Sequence, residues 1–115
     1  MALPESTKRI VEEKLNAFCD SKVLPHTFER VRLVYRIRGN NVTLFEQRSF
    51  PFDADEWEEC KVAQFQYDPS SKTWTLYCTD RNSRWREYTD TSATKDFGTL
   101  LAEVDKDPTG IFWGY

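Results

Sequence analysis

Arg30, Arg32, Arg36 and Arg38 sit in the stretch RVRLVYRIRG, and Arg48 follows ten residues after the last of them. A guanidinium is a planar fork whose N–H groups match a carboxylate or a phosphate. Phe45 falls between these arginines in sequence. Arginine interleaved with aromatic rings grips a single nucleic-acid strand by charge and stacking together. The same charge without stacking meets an acidic protein. A plainer reading stands beside both, because exposed strands carry arginine for solubility and to guard an edge. The acidic run Asp53, Asp55, Glu56, Glu58 and Glu59 can also pair with the arginines inside the chain. Glu29 and Glu46 are the only acids within the arginine segment itself.

Other chemistries have thinner support. His26 is the sole histidine and follows Pro25 in a connecting segment. Histidine is the usual proton shuttle near neutral pH, but no nucleophile signature accompanies this one. Asp80 and Glu87 fall on neighbouring strands, as the two carboxylates of a glycosidase must. Asp80, however, is also the natural first residue of a turn. The acidic run lacks the D-x-D-x-D-G spacing of a calcium loop. Cys19, Cys60 and Cys78 are odd in number and widely spaced, which speaks against zinc ligation and for free thiols in a reducing compartment. No metal and no cofactor is expected, and the balance is against an enzyme. Trp74, Trp85 and Trp113 are the candidate walls of a small aromatic pocket between the C-terminal tail and the sheet.

The chain bounds these options. It has 115 residues, a formal charge of −3 and an aromatic content of 15%, with a pI near 5.2. That length fits one domain, 1–115. A general polyanion binder is normally basic, so an acidic protein partner ranks above nucleic acid. No apolar run has the length of a signal core or a membrane span. The expected location is the cytoplasm, with no membrane partner. The oligomeric state is open between monomer and dimer.

The elements that must position these residues follow from periodicity. Ile10, Val11, Leu15, Phe18 and Cys19 give one apolar stripe, so a helix is expected over about 6–22, stopped by Pro25. Val31, Leu33, Tyr35 and Ile37 alternate with Arg30, Arg32, Val34, Arg36 and Arg38. Period two over this length is a strand with one dry face, over 30–38. Gly39-Asn40 fits a two-residue hairpin turn with glycine first, leading into a strand over 41–48. It sets Ile37 against Val42, Tyr35 against Leu44 and Val34 against Phe45. A slip of one residue would bury arginine, so this register is well specified.

Strands are expected at about 60–67 and 72–79, joined by Asp68-Pro69-Ser70-Ser71 as a type I turn. That turn sets Phe65 against Trp74, Ala63 against Leu76 and Cys78 against Lys61. A fifth strand over 84–89 has no fixed register, and that register decides whether Trp85 or Tyr88 joins the core. Tyr77 and Tyr88 are candidates to share the arginine face. Phe97, Leu100, Leu101 and Val104 mark a last helix over about 94–107, with Thr94 or Ser92 as cap. The tail 111–115, IFWGY, is too apolar to remain undocked.

The segments VRLVYRIRGNNVTLFE, KTWTLYCTDRNSRWREY and LLAEVDKDPTGIFWG resemble a family of small bacterial proteins catalogued as a domain of unknown function. The resemblance runs from about 28 to 114. Asn82-Ser83 departs from the Asn-Gly turn of that family. The resemblance implies a bacterial source and a self-contained domain, and it brings no activity or site residue.

The expected architecture is α+β: a five-stranded antiparallel meander with an N-terminal and a C-terminal helix on one face. The expected function is that of a non-catalytic interaction module. It would use Arg30, Arg32, Arg36, Arg38, Arg48 and Phe45 against an acidic protein. The alternatives are a small-ligand binder or enzyme with an aromatic pocket, and a single-stranded nucleic-acid binder.

Overall fold

A computed structural model describes residues 3–21, 30–49, 58–89, 91–108 and 110–112, and only the backbone at 21, 30, 31, 48 and 49. The elements run α1 (Glu5–Ser21), β1 (Arg30–Arg38), β2 (Asn41–Ser49), β3 (Glu58–Asp68), β4 (Thr73–Thr79), β5 (Trp85–Glu87) and α2 (Phe97–Lys106). The strands form one sheet in chain order, and every neighbouring pair is antiparallel. The fold is α+β, with both helices contributing to the core on one side of the meander.

The first hairpin has the register its alternation demands. Ile37 pairs with Val42, Tyr35 with Leu44 and Val34 with Phe45. Gly39 takes φ = 59°, the left-handed value that a glycine-first turn needs and that other residues resist. Val42 and Leu44 are fully buried. Their outward neighbours Thr43 and Phe45 are half-buried on the other face.

A bulge breaks the β2–β3 ladder. Leu44 pairs with Ala63, but Phe45 pairs with Lys61. Val62 is therefore an extra residue, and it is buried together with Ala63. An inserted residue reverses the alternation beyond it. Lys61 and Glu59 thereby share the face of Phe45 and Gln47 instead of the core face.

The β3–β4 register differs from expectation by two residues: Phe65 pairs with Leu76 and Tyr67 with Trp74. The loop spends four residues, Pro69 to Lys72, where a tight turn spends two. Lys72 takes φ = 56° and donates its N–H to the Asp68 carbonyl at 2.7 Å. A shift of two keeps every side chain on its face, so the core composition is unchanged.

β5 has three residues, and Thr79 pairs with Trp85. Tyr88 enters the core and its ring meets Phe112 at 4.9 Å. Tyr88 therefore leaves the arginine face to Tyr77. Phe112 of the tail is buried while Ile111 is exposed, and 113–115 lie outside the described residues.

α2 buries Phe97, Leu100, Leu101 and Val104. Its cap is Asp96, not Thr94 or Ser92: one carboxylate oxygen accepts from the Gly98 N–H at 3.0 Å and the other from the Thr99 hydroxyl at 3.0 Å. Thr94 instead bonds the Trp74 backbone in both directions, which delays the helix by a turn. α1 buries Val11, Leu15 and Phe18. Ile10, assigned to the same stripe by spacing, is 49% exposed. No described helix is long and apolar enough to cross a membrane.

Candidate functional site: the open sheet face

The helices cover one side of the sheet. Among the described residues no element covers the other. Alternation from the first hairpin places Arg32, Val34, Arg36 and Arg38 there, beside Gln47, Phe45 and Thr43. The bulge adds Glu59 and Lys61. Gln64, Tyr77 and Glu87 continue the face across β3, β4 and β5.

The centre of this face is a hydrogen-bonded cluster. Arg36 grips Glu59 with both terminal nitrogens, at 2.8 and 2.7 Å. Its guanidinium carbon lies 4.6 Å from the Phe45 ring centroid. Gln47 donates to Glu59 at 2.8 Å and accepts from Arg32 Nε at 2.6 Å. The Arg36 guanidinium, then Gln47, hold the Glu59 carboxyl below the usual carboxylate range. A fork–fork pair of this kind fixes orientation, although an exposed pair adds little to folding.

A second cluster lies across the sheet. Lys61 Nζ stands 5.6 Å from the Trp85 ring centroid and donates to the Ser83 carbonyl at 3.1 Å. Toward the β1–β2 turn Gln66 donates to Gln64 at 2.7 Å, and Gln64 donates to Thr43 at 3.1 Å. The face thus carries two neighbouring cation–ring pairs with a polar ladder beside them.

The expected site residues separate accordingly. Arg32, Arg36 and Phe45 come together in the cluster, and Arg38 shares their face at the turn end of the hairpin. Arg30 and Arg48 lie in β1 and β2, but their side chains are outside the described residues. Glu46 is not on the open face; it stands opposite Leu33 and Cys60 and is buried on the helix side. Of the acidic run, Glu58 and Glu59 are described, and Glu59 is the residue that meets an arginine. Lys61, set against Cys78 by the expected turn, lies on the open face beside Phe45 instead, because of a bulge that leaves no periodic trace.

Trp74 and Trp85 do not share the expected pocket, because they lie on opposite faces of the sheet. Trp74 is 2% exposed in the core, against Phe97 at 5.0 Å and Tyr67 at 4.9 Å. Trp85 is on the opposite face, and Trp113 lies outside the described residues. A shallow cleft of about 320 Å³ does reach Trp74, between Thr7 and Ile10 of α1 and the side chains of Lys72 and Lys95.

The remaining chemical candidates are accounted for locally. Asp80 is a turn residue. It accepts from the N–H groups of Asn82 and Arg84 and from Arg86 Nε, at 2.8, 3.0 and 3.1 Å. The Arg84 N–H leads these partners in keeping its carboxyl below the usual range. All three cysteines are free, with Cys60 exposed and Cys78 buried. Burial pushes the Cys19 thiol up to about 11. His26 lies outside the described residues. Among those described, no three His, Cys, Asp or Glu side chains group closely enough to hold a metal ion.

With this geometry in place, the comparison with known proteins is informative in one respect. The family described as Domain of unknown function (DUF3024) matches residues 3–114. The chain belongs to this family. The match takes in both terminal helices and all five strands, so the family unit is the whole α+β fold. No curated protein matches the chain, and no solved structure does.

Proposed function

We propose that the protein is a non-catalytic interaction module whose open sheet face docks an acidic protein segment. One observation carries this reading: the uncovered face concentrates Arg32, Arg36, Arg38 and Lys61 around half-buried Phe45, Tyr77 and Trp85 in a chain of net charge −3. Charge complementarity of this kind speeds encounter and selects partners. Aromatic and arginine anchors supply most of the energy where an interface forms. Glu59 is part of the device. It holds Arg36 over Phe45, and it occupies the fork that an incoming carboxylate would use.

The test is titration of the protein with poly-glutamate, followed by Trp fluorescence at low and at physiological salt. Wild type is expected to bind at low salt, and Arg32→Glu/Arg36→Glu to lose at least tenfold in affinity. Glu59→Gln, which releases Arg36 and removes a like charge, should gain severalfold. Equal binding by all three proteins refutes the reading. A parallel titration with single-stranded oligothymidylate separates the nucleic-acid alternative. Four phosphate contacts would give a log–log salt slope of about −3.

A further inference from the structure

The two edges of the sheet differ. At one edge β5 is three residues long, and Thr94 bridges to Trp74 and closes part of the β4 edge beyond it. At the other edge β1 offers nine residues without proline or bulge. Among the described residues no strand pairs with its outer side.

The backbone of β1 can be assigned atom by atom. Arg38 and Asn41 close a two-residue turn, so they form a hydrogen-bonded pair. The ladder to β2 then uses the N–H and C=O groups of Arg38, Arg36, Val34 and Arg32. Those of Ile37, Tyr35 and Leu33 point the other way, toward the bare edge. The side chains of these three residues lie on the helix side and stay half-buried, while Val42 and Leu44 across the ladder are fully buried. Among the described residues the core therefore ends one apolar row short at this edge.

Resting on the reading above, we propose that the acidic partner binds as a sixth strand on β1, through an extended segment that alternates acidic and apolar residues. Directly opposed residues of paired strands share a face. Acidic positions would meet Arg32, Arg36 and Arg38, and the intervening apolar positions would cover Leu33, Tyr35 and Ile37. Strand addition draws affinity from main-chain bonds and specificity from alternate side chains, and this edge supplies both. The arginines also select against a second copy of the chain. Antiparallel β1–β1 pairing centred on Tyr35 sets Arg32 opposite Arg38, and like charges so placed repel.

The probe is a fluorescein-labelled nine-residue peptide of alternating Glu and Val, compared with a block peptide of the same composition. The alternating peptide is expected to bind at least tenfold more tightly. Methylating the peptide amides turned toward β1 should abolish that advantage, and methylating the other set should preserve it. In the complex, hydrogen exchange should slow at the amides of Leu33, Tyr35 and Ile37. Those of Val34 and Arg36 are already in the ladder and should not change. If both peptides bind equally and methylation has no effect, strand addition is refuted while the acidic-partner reading stands. If neither peptide nor poly-glutamate binds, that reading falls as well. A dimer in sedimentation with Leu33, Tyr35 and Ile37 protected in the free protein overturns the proposal in favour of self-pairing.

Discussion

Trp74 and Trp85 belong to neighbouring strands and face opposite ways, and they show how differently the two sides of one sheet are built. Trp74 is enclosed by rings, with Tyr67 on one side and Phe97 of α2 on the other. Trp85 lies under a lysine, half-buried, on a face held together by side-chain hydrogen bonds. The helix side is a packed layer whose stability scales with apolar burial. The open side is an electrostatic assembly, adjustable without disturbing the layer beneath. A surface that must change partners or tolerate substitution is best separated from the core in this manner.

The sharpest way to break this comparison is to truncate both rings. Trp74→Ala removes a large buried ring and should destabilise by about 3–5 kcal/mol. Trp85→Ala should shift the denaturant midpoint little and lower affinity for poly-glutamate. Similar losses of stability from the two substitutions would mean that the open face is a second core.

A smaller effect is expected at the β4–β5 turn. Ser83 takes φ = 59°, a conformation that disfavours any residue with a Cβ. Ser83→Gly should stabilise by about 1 kcal/mol, read as a rise in the urea midpoint at unchanged slope. The Lys61 contact at Ser83 is to the backbone carbonyl, so it survives the change.

The smallest effect distinguishes the faces by pH. Glu59 and Asp80 titrate below their ordinary values. Their contribution is complete above the unfolded carboxylate value near 4 and fades as pH falls through the lower folded values. Stability measured from pH 7 to pH 2 should therefore decline less in Glu59→Gln and Asp80→Asn than in wild type. Identical acid limbs would mean that the partners of neither carboxylate contribute to stability.

Most of the architecture was legible in the sequence because period two and period 3.6 alternate cleanly along it. The first hairpin was legible to the register, since any slip would bury an arginine. The β3–β4 pairing was legible only in its facing. Pattern fixes which side a residue takes, and loop length fixes its partner; Lys72 in a left-handed conformation lengthened the loop. Half of the candidate site was legible in the same way. Arg32, Arg36, Arg38 and Phe45 declare their face by alternation. Glu59 and Lys61 do not, since the Val62 bulge, which follows them in the chain, reverses the pattern. Trp74 and Trp85 looked like two walls of one pocket because the parity of β5 was undetermined.

The meeting of the two terminal helices bears on the order in which the molecule assembles. Lys14 and Phe18 of α1 line the same groove as Gly98 and Leu101 of α2, and a methyl group at Gly98 would stand 3.2 Å from the Lys14 ammonium. Every strand, by contrast, pairs with its neighbour in sequence. The meander can therefore zip up from local hairpins, whose loops close quickly. The side of α1 that borders this groove is fully covered only when α2 has docked. Contact between the two helices spans far more of the chain than any hairpin, so it is expected to close after the local pairings.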